Sequence, residues 1–209
     1  MTIDGRVARG ERTRTAVLDT AMALATSAGL DGLSLTQLAG TLQVSKSGLF
    51  AHWRSKEELQ LATIDHAAAK WSEQVVGRAR QAPRGIRRLW ALHEARLDYY
   101  ATAELPGVCF FGKTRLEFNA RPGPVQDRLT AHSLAWLALI ERFAAEAVAA
   151  GELRADADPR QLAYEIEALG LVAVLKDPPS APEAYVRSRR AVLDRLRGLS
   201  TDPTLLPED

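Results

Sequence analysis

The stretch from Ser34 to Glu58, which reads SLTQLAGTLQVSKSGLFAHWRSKEE, holds three helix starts in close succession. Ser34 with Gln37 and Ser55 with Glu58 both match the capping box, in which a serine hydroxyl accepts from an early amide and a later side chain reaches back to the N-cap amide. Ser45 is a third candidate N-cap. Starts this closely spaced leave room only for short helices packed on one another, so the stretch predicts a compact helical unit.

Within this stretch, apolar periodicity predicts a helix, a tight turn and a second helix. The first helix has a core-facing side, formed by Leu35, Leu38, Ala39 and Leu42. The pattern breaks at Gln43 and Val44 and restarts after Ser45, where Leu49 and Trp53 at i and i+4 are predicted to point inward.

The second of these helices begins with small or polar residues, Lys46, Ser47 and Gly48. Such residues approach base edges closely, and Lys or Ser hydrogen-bonds to bases in the major groove. Packing alone gains nothing from this composition, so the pattern favours a helix-turn-helix that binds DNA. A Ser or Lys at this point also fits a plain cap or solvent-facing group.

The segment LSLTQLAGTLQVSKSGLFAHWRSKEEL, preceded by AGLDGL, resembles the helix-turn-helix signature of the TetR/AcrR family of transcriptional regulators over about residues 10–60. The resemblance implies a dimeric, ligand-responsive, all-α DNA-binding protein, usually a repressor. Phe50 stands where the family usually has Tyr, so an apolar contact replaces a phenolic hydrogen bond to phosphate. Trp53 stands where Phe is commoner.

The predicted fold is all-α, with about nine helices in total. A three-helix DNA-binding domain over residues 1–55 precedes a larger helical effector-binding and dimerisation domain over residues 56–209. The base or base-adjacent contacts are assigned to Thr36, Lys46 and Ser47, with Gly48 permitting close backbone approach. The phosphate contacts are assigned to Phe50, His52 and Lys56.

Charge supports this placement of the DNA-binding end. The chain has 209 residues and a net charge of +1, yet residues 1–56 carry +3 and the remainder carries −2. The single cysteine, Cys109, excludes an intramolecular disulfide and fits a reducing compartment. No apolar run reaches membrane-spanning length and the N-terminus lacks a signal-peptide core, so we predict a cytoplasmic protein without a membrane partner.

Helices are predicted along the rest of the chain. Residues 1–10 form an arm, either disordered until it meets DNA or simply frayed, before a helix from about Glu11 to Ala28. A helix from Lys56 to about Ala79 has no breaker and therefore joins both domains. Further helices are predicted at about 86–100, 108–118, 124–150 and 159–176. A last helix is predicted to start at Ser180, with Glu183 completing its cap, and to run to about Leu199.

The last two helices are the predicted homodimer surface. Residues 168–175 are apolar all round, which requires cover on two sides. In the final helix, an apolar stripe is expected opposite arginines that form a solvated face. Four helices meeting across a two-fold axis satisfy this pattern. The alternative is that both helices fold back on their own core.

A small apolar or aromatic effector is predicted to bind among the middle helices. The candidate lining residues are Trp71, Trp90, His93, Tyr100, Cys109, Phe110 and Trp136. The alternative for each aromatic residue is plain core, for His93 a hydrogen-bonded core histidine, and for Cys109 an oxidant-sensing thiol or core lining.

No catalytic constellation is found. The four histidines lie far apart without metal-ligand spacing, and no phosphate-binding glycine loop or nucleophile motif occurs, so we predict no enzyme activity, metal or cofactor. The first hypothesis is a repressor that binds a palindromic operator in double-stranded DNA and is released by its effector. Two others remain open: an effector-independent DNA-binding dimer or activator, and a helical enzyme or carrier with an incidental helix-turn-helix.

Overall fold

The computed structural model describes residues 5–45, 47, 49, 52–102, 109–176 and 183–208. The described residues form eight α-helices: α1 Gly5–Ala28, α2 Leu35–Leu42, α3 Lys56–Trp71, α4 Ile86–Thr102, α5 Phe110–Phe118, α6 Pro124–Ala149, α7 Pro159–Lys176 and α8 Glu183–Leu199. A π-helical turn, Ser72–Gly77, follows α3, and a 3-10 turn, Pro203–Leu205, follows α8. One isolated bridge, between Leu153 and Ser200, is the only β pairing in this part of the chain. The all-α prediction is confirmed.

The ninth predicted helix is the second helix of the helix-turn-helix. Ser47 and Leu49 belong to it and are helical, whereas its residues 46, 48, 50 and 51 lie outside the described residues.

The chain divides into two compact units. Unit 1 comprises residues 1–69 and 105–130, and unit 2 comprises residues 70–104 and 131–209. The chain passes from one unit to the other inside α3 and inside α6. Packing therefore draws α5 and the start of α6 into the same unit as the helix-turn-helix, while the functional boundary predicted at residue 55 stays a prediction.

Unit 1 is built around one apolar cluster. Helix α1 contributes its buried face, and the helix-turn-helix, α3, α5 and α6 close over it. The cluster is formed by Val17, Leu18, Ala21, Met22, Ala25, Leu30, Leu33, Leu38, Ala39, Leu49, Trp53, Leu59, Ile64, Ala67, Phe110, Phe118, Val125 and Leu129. Most of these side chains recur at helical spacing, so their burial determines which face of each short helix points into the core.

Unit 2 has its own core. It joins the π-helical turn, α4, α6, α7 and α8, and its centre includes Val75, Leu89, Ile140, Phe143, Ile166, Val192 and Leu196. The predicted stripe of the final helix is buried as expected, at Tyr185, Val192, Leu196 and Leu199. Opposite it, Arg187 and Arg190 are exposed.

The N-terminal arm was predicted wrongly. Residues 5–10 are the first turns of α1, which begins at Gly5 instead of about Glu11. Residues 5–10 contain no proline, and extending an existing helix adds a backbone hydrogen bond for each residue ordered. Residues 1–4 lie outside the described residues.

The helix from Lys56 is continuous, as predicted, but its geometry changes. Regular α-helix ends at Trp71, a π-helical turn spans Ser72–Gly77, and α-helical backbone resumes to Ala79. Apolar periodicity does not reveal such a turn, because both helix types continue the same run of residues.

None of the helices in the described part of the chain combines the length and apolar character needed to cross a membrane. Within the same residues, no group of three His, Cys, Asp or Glu side chains is placed to hold a metal ion.

Candidate nucleic-acid interface and effector site

Helix α2 starts at the predicted cap. Ser34 is extended, with φ −131° and ψ 138°, and its hydroxyl accepts from the amide of Gln37 at 3.0 Å. Leu38 and Ala39 are buried, while Thr36, in the first turn, is exposed. Thr36 is therefore available on the surface for the contact that the sequence assigns to it.

The turn after α2 is sharp because Gln43 adopts the left-handed conformation, with φ 53°. The amide of Val44 closes the helix end by donating to the carbonyl of Ala39 at 3.1 Å. The next helix has begun by Ser47, and the amide of Leu49 donates to the carbonyl of Ser45 at 3.3 Å. This geometry confirms the break predicted at Gln43 and Val44.

The second helix has one buried side and one open side. Leu49 and Trp53 are buried, as the i, i+4 spacing predicted, whereas Ser47 is exposed and its hydroxyl donates to the hydroxyl oxygen of Ser45 at 3.2 Å. The other residues assigned to this helix, Lys46, Gly48 and Phe50, lie outside the described residues. Ser47 alone shows that the helix turns a polar position to the surface.

Trp53 anchors this helix in unit 1. The guanidinium of Arg14, from α1, lies 5.1 Å from the Trp53 ring centroid, and the half-buried His52 ring lies 5.5 Å from it. A cation over an indole face adds roughly 0.5–2 kcal/mol of attraction. The contact attaches the end of the second helix to α1 and helps to fix the position of the second helix in unit 1.

Helix α3 begins with the second predicted cap. The Ser55 hydroxyl accepts from the amide of Glu58 at 3.1 Å, and the Glu58 carboxylate accepts from the amide of Arg54 at 2.7 Å. The sequence predicted that Glu58 would reach the N-cap amide itself, and the structure places its bond one residue earlier. The effect is similar, because a free amide before the helix is still satisfied.

Lys56, in the first turn of α3, is exposed and held by Asp31. Its ammonium donates to the Asp31 carboxylate at 2.9 Å and also to the Asp31 backbone carbonyl. The hydrogen bonds from Lys56 and from Arg121 lower the pKa of Asp31 below its usual range. The carboxylate is therefore ionised at neutral pH.

Three of the predicted effector residues meet in unit 2. The Trp71 ring centroid lies 5.1 Å from that of Trp136 and 5.5 Å from that of Tyr100. Tyr99, which the sequence did not single out, packs edge-on against Trp71 at 5.3 Å. We call these four residues the aromatic cluster.

Two rings of the aromatic cluster, those of Tyr100 and Trp136, lie beside a buried charge. Arg96, 2% exposed, pairs with the Glu167 carboxylate at 2.9 Å, and its guanidinium lies 5.8 Å from the Tyr100 ring and 5.7 Å from the Trp136 ring. The Trp136 indole donates to the same carboxylate at 2.7 Å. Sequence reasoning missed this pair, although a charged residue on the apolar stripe of α4 was a usable signal.

Trp90 and His93 lie together elsewhere on α4, with ring centroids 6.1 Å apart. His93 is buried, and its Nε2 lies 3.3 Å from the Ser188 hydroxyl oxygen. Because the Ser188 hydroxyl donates to the carbonyl of Leu169, the pattern assigns the imidazole proton to Nε2. Nδ1 has no hydrogen-bond partner among the described residues.

Burial, the largest cause, and the positive charges of Arg96 and Arg189 together lower the pKa of His93 to about 3, against a hydrogen bond with Ser188 that raises it. The side chain is therefore neutral at physiological pH. This agrees with the hydrogen-bonded core histidine that the sequence left open as one of two interpretations.

Cys109 and Phe110 belong to unit 1 and not to the unit of the other five candidates. Phe110 is part of the unit 1 core and contacts Phe111 edge-on at 5.2 Å. The Cys109 sulfur caps α5 by accepting from the amide of Gly112 at 3.5 Å. Each has a structural role of this kind, and their contact with an effector stays a prediction.

These observations define a class of protein: an all-helical chain that presents a helix-turn-helix and carries a second helical unit. Residues 17–63 match the sequence model of the bacterial regulatory proteins of the tetR family, and residues 85–192 match that of the tetracyclin repressor-like C-terminal domain. The second match alone covers more than half of the chain, so the protein belongs to the TetR family of transcriptional regulators. It is thus a DNA-binding transcription regulator and not an enzyme, as the sequence predicted.

Solved structures share the fold. A TetR transcriptional regulator from Chloroflexus aurantiacus J-10-FL is 25% identical, with a TM-score of 0.77 over 88% of this chain and 96% of that one. AibR, solved in complex with isovaleryl coenzyme A and operator DNA, is 20% identical, with a TM-score of 0.68 over 91% and 98%. A cysteine mutant of CifR, solved with a 26-base-pair operator duplex, is 22% identical, with a TM-score of 0.72 over 88% and 95%. A search of curated proteins gave no match.

Proposed function

We propose that this regulator is a ligand-responsive repressor, which binds a palindromic operator as a homodimer and is released by a small apolar or aromatic effector. The observation that carries the proposal is the second helix of the helix-turn-helix, with Ser47 exposed while Leu49 and Trp53 are buried. The proposal places the protein in the cytoplasm, with DNA binding assigned to residues 1–55 and effector binding and dimerisation to residues 56–209.

DNA contacts follow from this exposure. Residues near the start of the second helix would meet base edges in the major groove, and the flanking residues would hold phosphates. The proposed contacts are Thr36, Lys46, Ser47, Gly48, Phe50, His52 and Lys56. Thr36, Ser47 and Lys56 are exposed, and His52 is half-buried, which supports their part of the set.

Dimerisation is proposed through α7 and α8. Large apolar side chains remain exposed on these helices: Tyr164, Val172, Leu175 and Val186. Val172 and Leu175 belong to the all-apolar run of α7, whose other side is buried at Ala173 and Val174. A second copy would cover them, and two-fold symmetry would set the reading helices roughly 34–36 Å apart, one turn of DNA.

The effector site is proposed in unit 2, at the aromatic cluster around Arg96 and Glu167. Aromatic walls with a few fixed polar groups are typical of small-molecule sites. AibR, which shares the fold, was solved with isovaleryl coenzyme A as well as operator DNA. Trp90 and His93 of the same unit remain in the proposed site beside Trp71, Tyr100 and Trp136. Effector contact by Cys109 and Phe110, which belong to unit 1, is a separate prediction.

Release is proposed to act through the helix that starts at Lys56. Helical backbone continues from Lys56 through Trp71 and the π-helical turn to Ala79, so one element links a DNA-contacting residue to a member of the aromatic cluster. An effector that favours a tilted form of this helix weakens operator binding. A coupling of about 1 to 3 kcal/mol gives a 5- to 150-fold release.

The alternative is an effector-independent DNA-binding dimer or activator. The observation in its favour is that Trp71 packs directly against both Tyr100 and Trp136, as residues of a filled core do. The two proposals share the DNA-binding half and differ in whether operator affinity responds to small molecules.

Selection of bound duplexes from a random DNA pool tests the shared half. We expect an enriched palindrome with half-sites one helical turn apart, and an enriched pool without two-fold symmetry would contradict the dimeric assignment. Operator affinity is then measured by fluorescence anisotropy with isovaleryl coenzyme A, indole and 2-naphthoate as probes. Weakening by one of them, with quenching of tryptophan fluorescence, supports the repressor, and unchanged affinity with all three favours the alternative.

A further inference from the structure

The carboxylate of Asp31, in the turn between α1 and α2, is shared by two cations. Its Oδ1 lies 2.9 Å from the Lys56 ammonium and its Oδ2 lies 2.7 Å from the Arg121 guanidinium. All three side chains are about half exposed, at 46% for Asp31, 48% for Lys56 and 53% for Arg121. Lys56 opens α3, and Arg121 follows α5.

The turn that carries Asp31 is held by α5. The Glu117 carboxylate accepts from the amides of Leu30 at 2.8 Å and Asp31 at 2.9 Å. Gly29 permits this approach, because it has φ +89° and a Cβ there would lie 2.7 Å from the Glu117 carboxylate. Asp31 therefore has a fixed position relative to α5.

A second side chain of α5 reinforces the same junction. The Lys113 ammonium donates to the carbonyls of Thr26 at 3.1 Å and Ser27 at 2.5 Å, in the last turn of α1. From α3, the Gln60 amide donates to the carbonyl of Leu30 at 3.0 Å. The turn is thus clamped between α5 and α3, with Asp31 directed to the start of α3.

An exposed ion pair contributes only about 0–1 kcal/mol to the free energy of folding, so the Asp31–Lys56 pair adds little to the stability of the fold. It has a larger consequence for binding. A carboxylate and a DNA phosphate are both anions that accept from an ammonium, and Lys56 is the residue assigned to a phosphate. The Lys56 ammonium must leave, or share, Asp31 when it binds DNA.

We infer that Asp31 is an internal competitor of the DNA phosphate for Lys56, and that Arg121 weakens this competition by binding the other carboxylate oxygen. The inference rests on the proposed function, because it requires that Lys56 contacts the operator. Asp31 and Arg121 are thereby positioning residues that set operator affinity without touching DNA. Since α5 holds the turn through Glu117, a displacement of α5 changes how firmly Asp31 retains Lys56.

The test uses the full-length protein and a fluorescein-labelled duplex that the wild type has enriched from a random pool. Asp31→Asn removes the competing charge, and we expect operator binding to tighten about three- to tenfold, with one such pair in each half of the dimer. In a Lys56→Ala background the same change gives no gain. In Arg121→Gln, Lys56 is the remaining partner of the Asp31 carboxylate, so we expect operator binding to weaken. The same substitution in an Asp31→Asn background should leave operator binding unchanged.

Asp127→Asn is the matched control. Asp127 is an exposed acid in the first turn of α6, in the same unit, so its loss changes net charge equally without removing a partner of Lys56. Circular dichroism melts check that each variant is folded. Equal tightening by Asp127→Asn, or a gain from Asp31→Asn that persists with Lys56→Ala, would overturn the inference. Failure of the wild type to enrich any duplex would instead overturn the proposed function.

Discussion

At the residue scale, unit 2 buries two side chains that can carry a positive charge, His93 and Arg96. His93 is neutral and Arg96 is charged, although both are buried on the same helix. Burying an ion pair is often no better for stability than apolar packing, whereas removing one partner is strongly destabilising. The stability of unit 2 is therefore expected to depend on pH and on the volume of the side chains that pack against these groups.

The pH dependence of stability follows from His93. Its folded-state pKa of about 3 lies below the unfolded value of 6.5, so the unfolded state binds the extra proton and stability falls as pH drops from 6.5 towards 3. Between pH 7.5 and 5.5 we expect His93 to account for a loss of about 1.4 kcal/mol. Urea unfolding of wild type and His93→Asn at both pH values gives the change of unfolding free energy with pH for each protein. The difference between these two changes measures the contribution of His93.

His132→Asn, at a half-buried position on α6, is the control for replacing a histidine in the same unit. If His93→Asn retained the wild-type change of unfolding free energy with pH, the buried neutral histidine would not be its cause.

Gly170 leaves the space that Arg96 occupies. A Cβ at this position would lie 2.5 Å from a guanidinium nitrogen of Arg96, which is held by Glu167 and by the aromatic cluster. We expect Gly170→Ala to lower the free energy of unfolding by about 1–3 kcal/mol, because overpacking displaces a buried ion pair. Gly198→Ala on α8, with nothing within 4 Å of its Cβ, should be neutral or stabilising in the same urea titration. A Gly170→Ala protein as stable as wild type would contradict this account.

At the element scale, the helix-turn-helix depends on local chemistry that neighbouring elements complete. Ser34 caps α2 and Ser55 caps α3, and Gln43 adopts the left-handed conformation in the turn after α2. Arg14 of α1 covers Trp53, so the short second helix is held by a longer one. Short helices are unstable alone, and tertiary packing provides most of their stability.

Ser47 tests the second helix as a DNA-reading element. Ser47→Ala should weaken binding to the enriched operator by about 1–3 kcal/mol per lost base contact and leave binding to a random-sequence duplex unchanged. Ser72→Ala, an exposed serine at the start of the π-helical turn, is the matched control and should bind as the wild type does. Equal anisotropy curves for wild type and Ser47→Ala would remove Ser47 from the interface.

At the scale of the whole molecule, the chain forms two compact units, with α3 and α6 running through both. Family membership makes it a DNA-binding transcription regulator. The proposed palindromic operator requires two copies of the reading helix. Substitution of the exposed apolar side chains of α7 and α8 therefore tests whether two copies of the chain associate through these helices.

Val172 is 56% exposed on α7, and Val172→Glu would bury a carboxylate twice across the proposed two-fold axis. We expect this variant to be monomeric by light scattering coupled to size exclusion, and to lose most of its operator affinity. Leu134→Glu, on α6 and 62% exposed, is the control and should remain dimeric. A dimeric Val172→Glu protein would place the interface elsewhere.

The amino-acid sequence by itself determined the helices and the family. Caps, breakers and apolar periodicity are local signals, and they sufficed for the helix-turn-helix, the inward Leu49 and Trp53, and the buried stripe of α8. They were insufficient at the start of α1, because helix propagation into residues 5–10 has no local marker, and at the π-helical turn.

Only the tertiary structure decided which distant residues meet. It placed α5 against the turn that carries Asp31, assigned Cys109 and Phe110 to a different compact unit from the aromatic cluster, and placed Arg96 in the space left by Gly170. The physical reason is that periodicity specifies the buried face of a helix but not its partner. Partner choice depends on shape and on the pairing of buried polar groups across the fold, which no local pattern records.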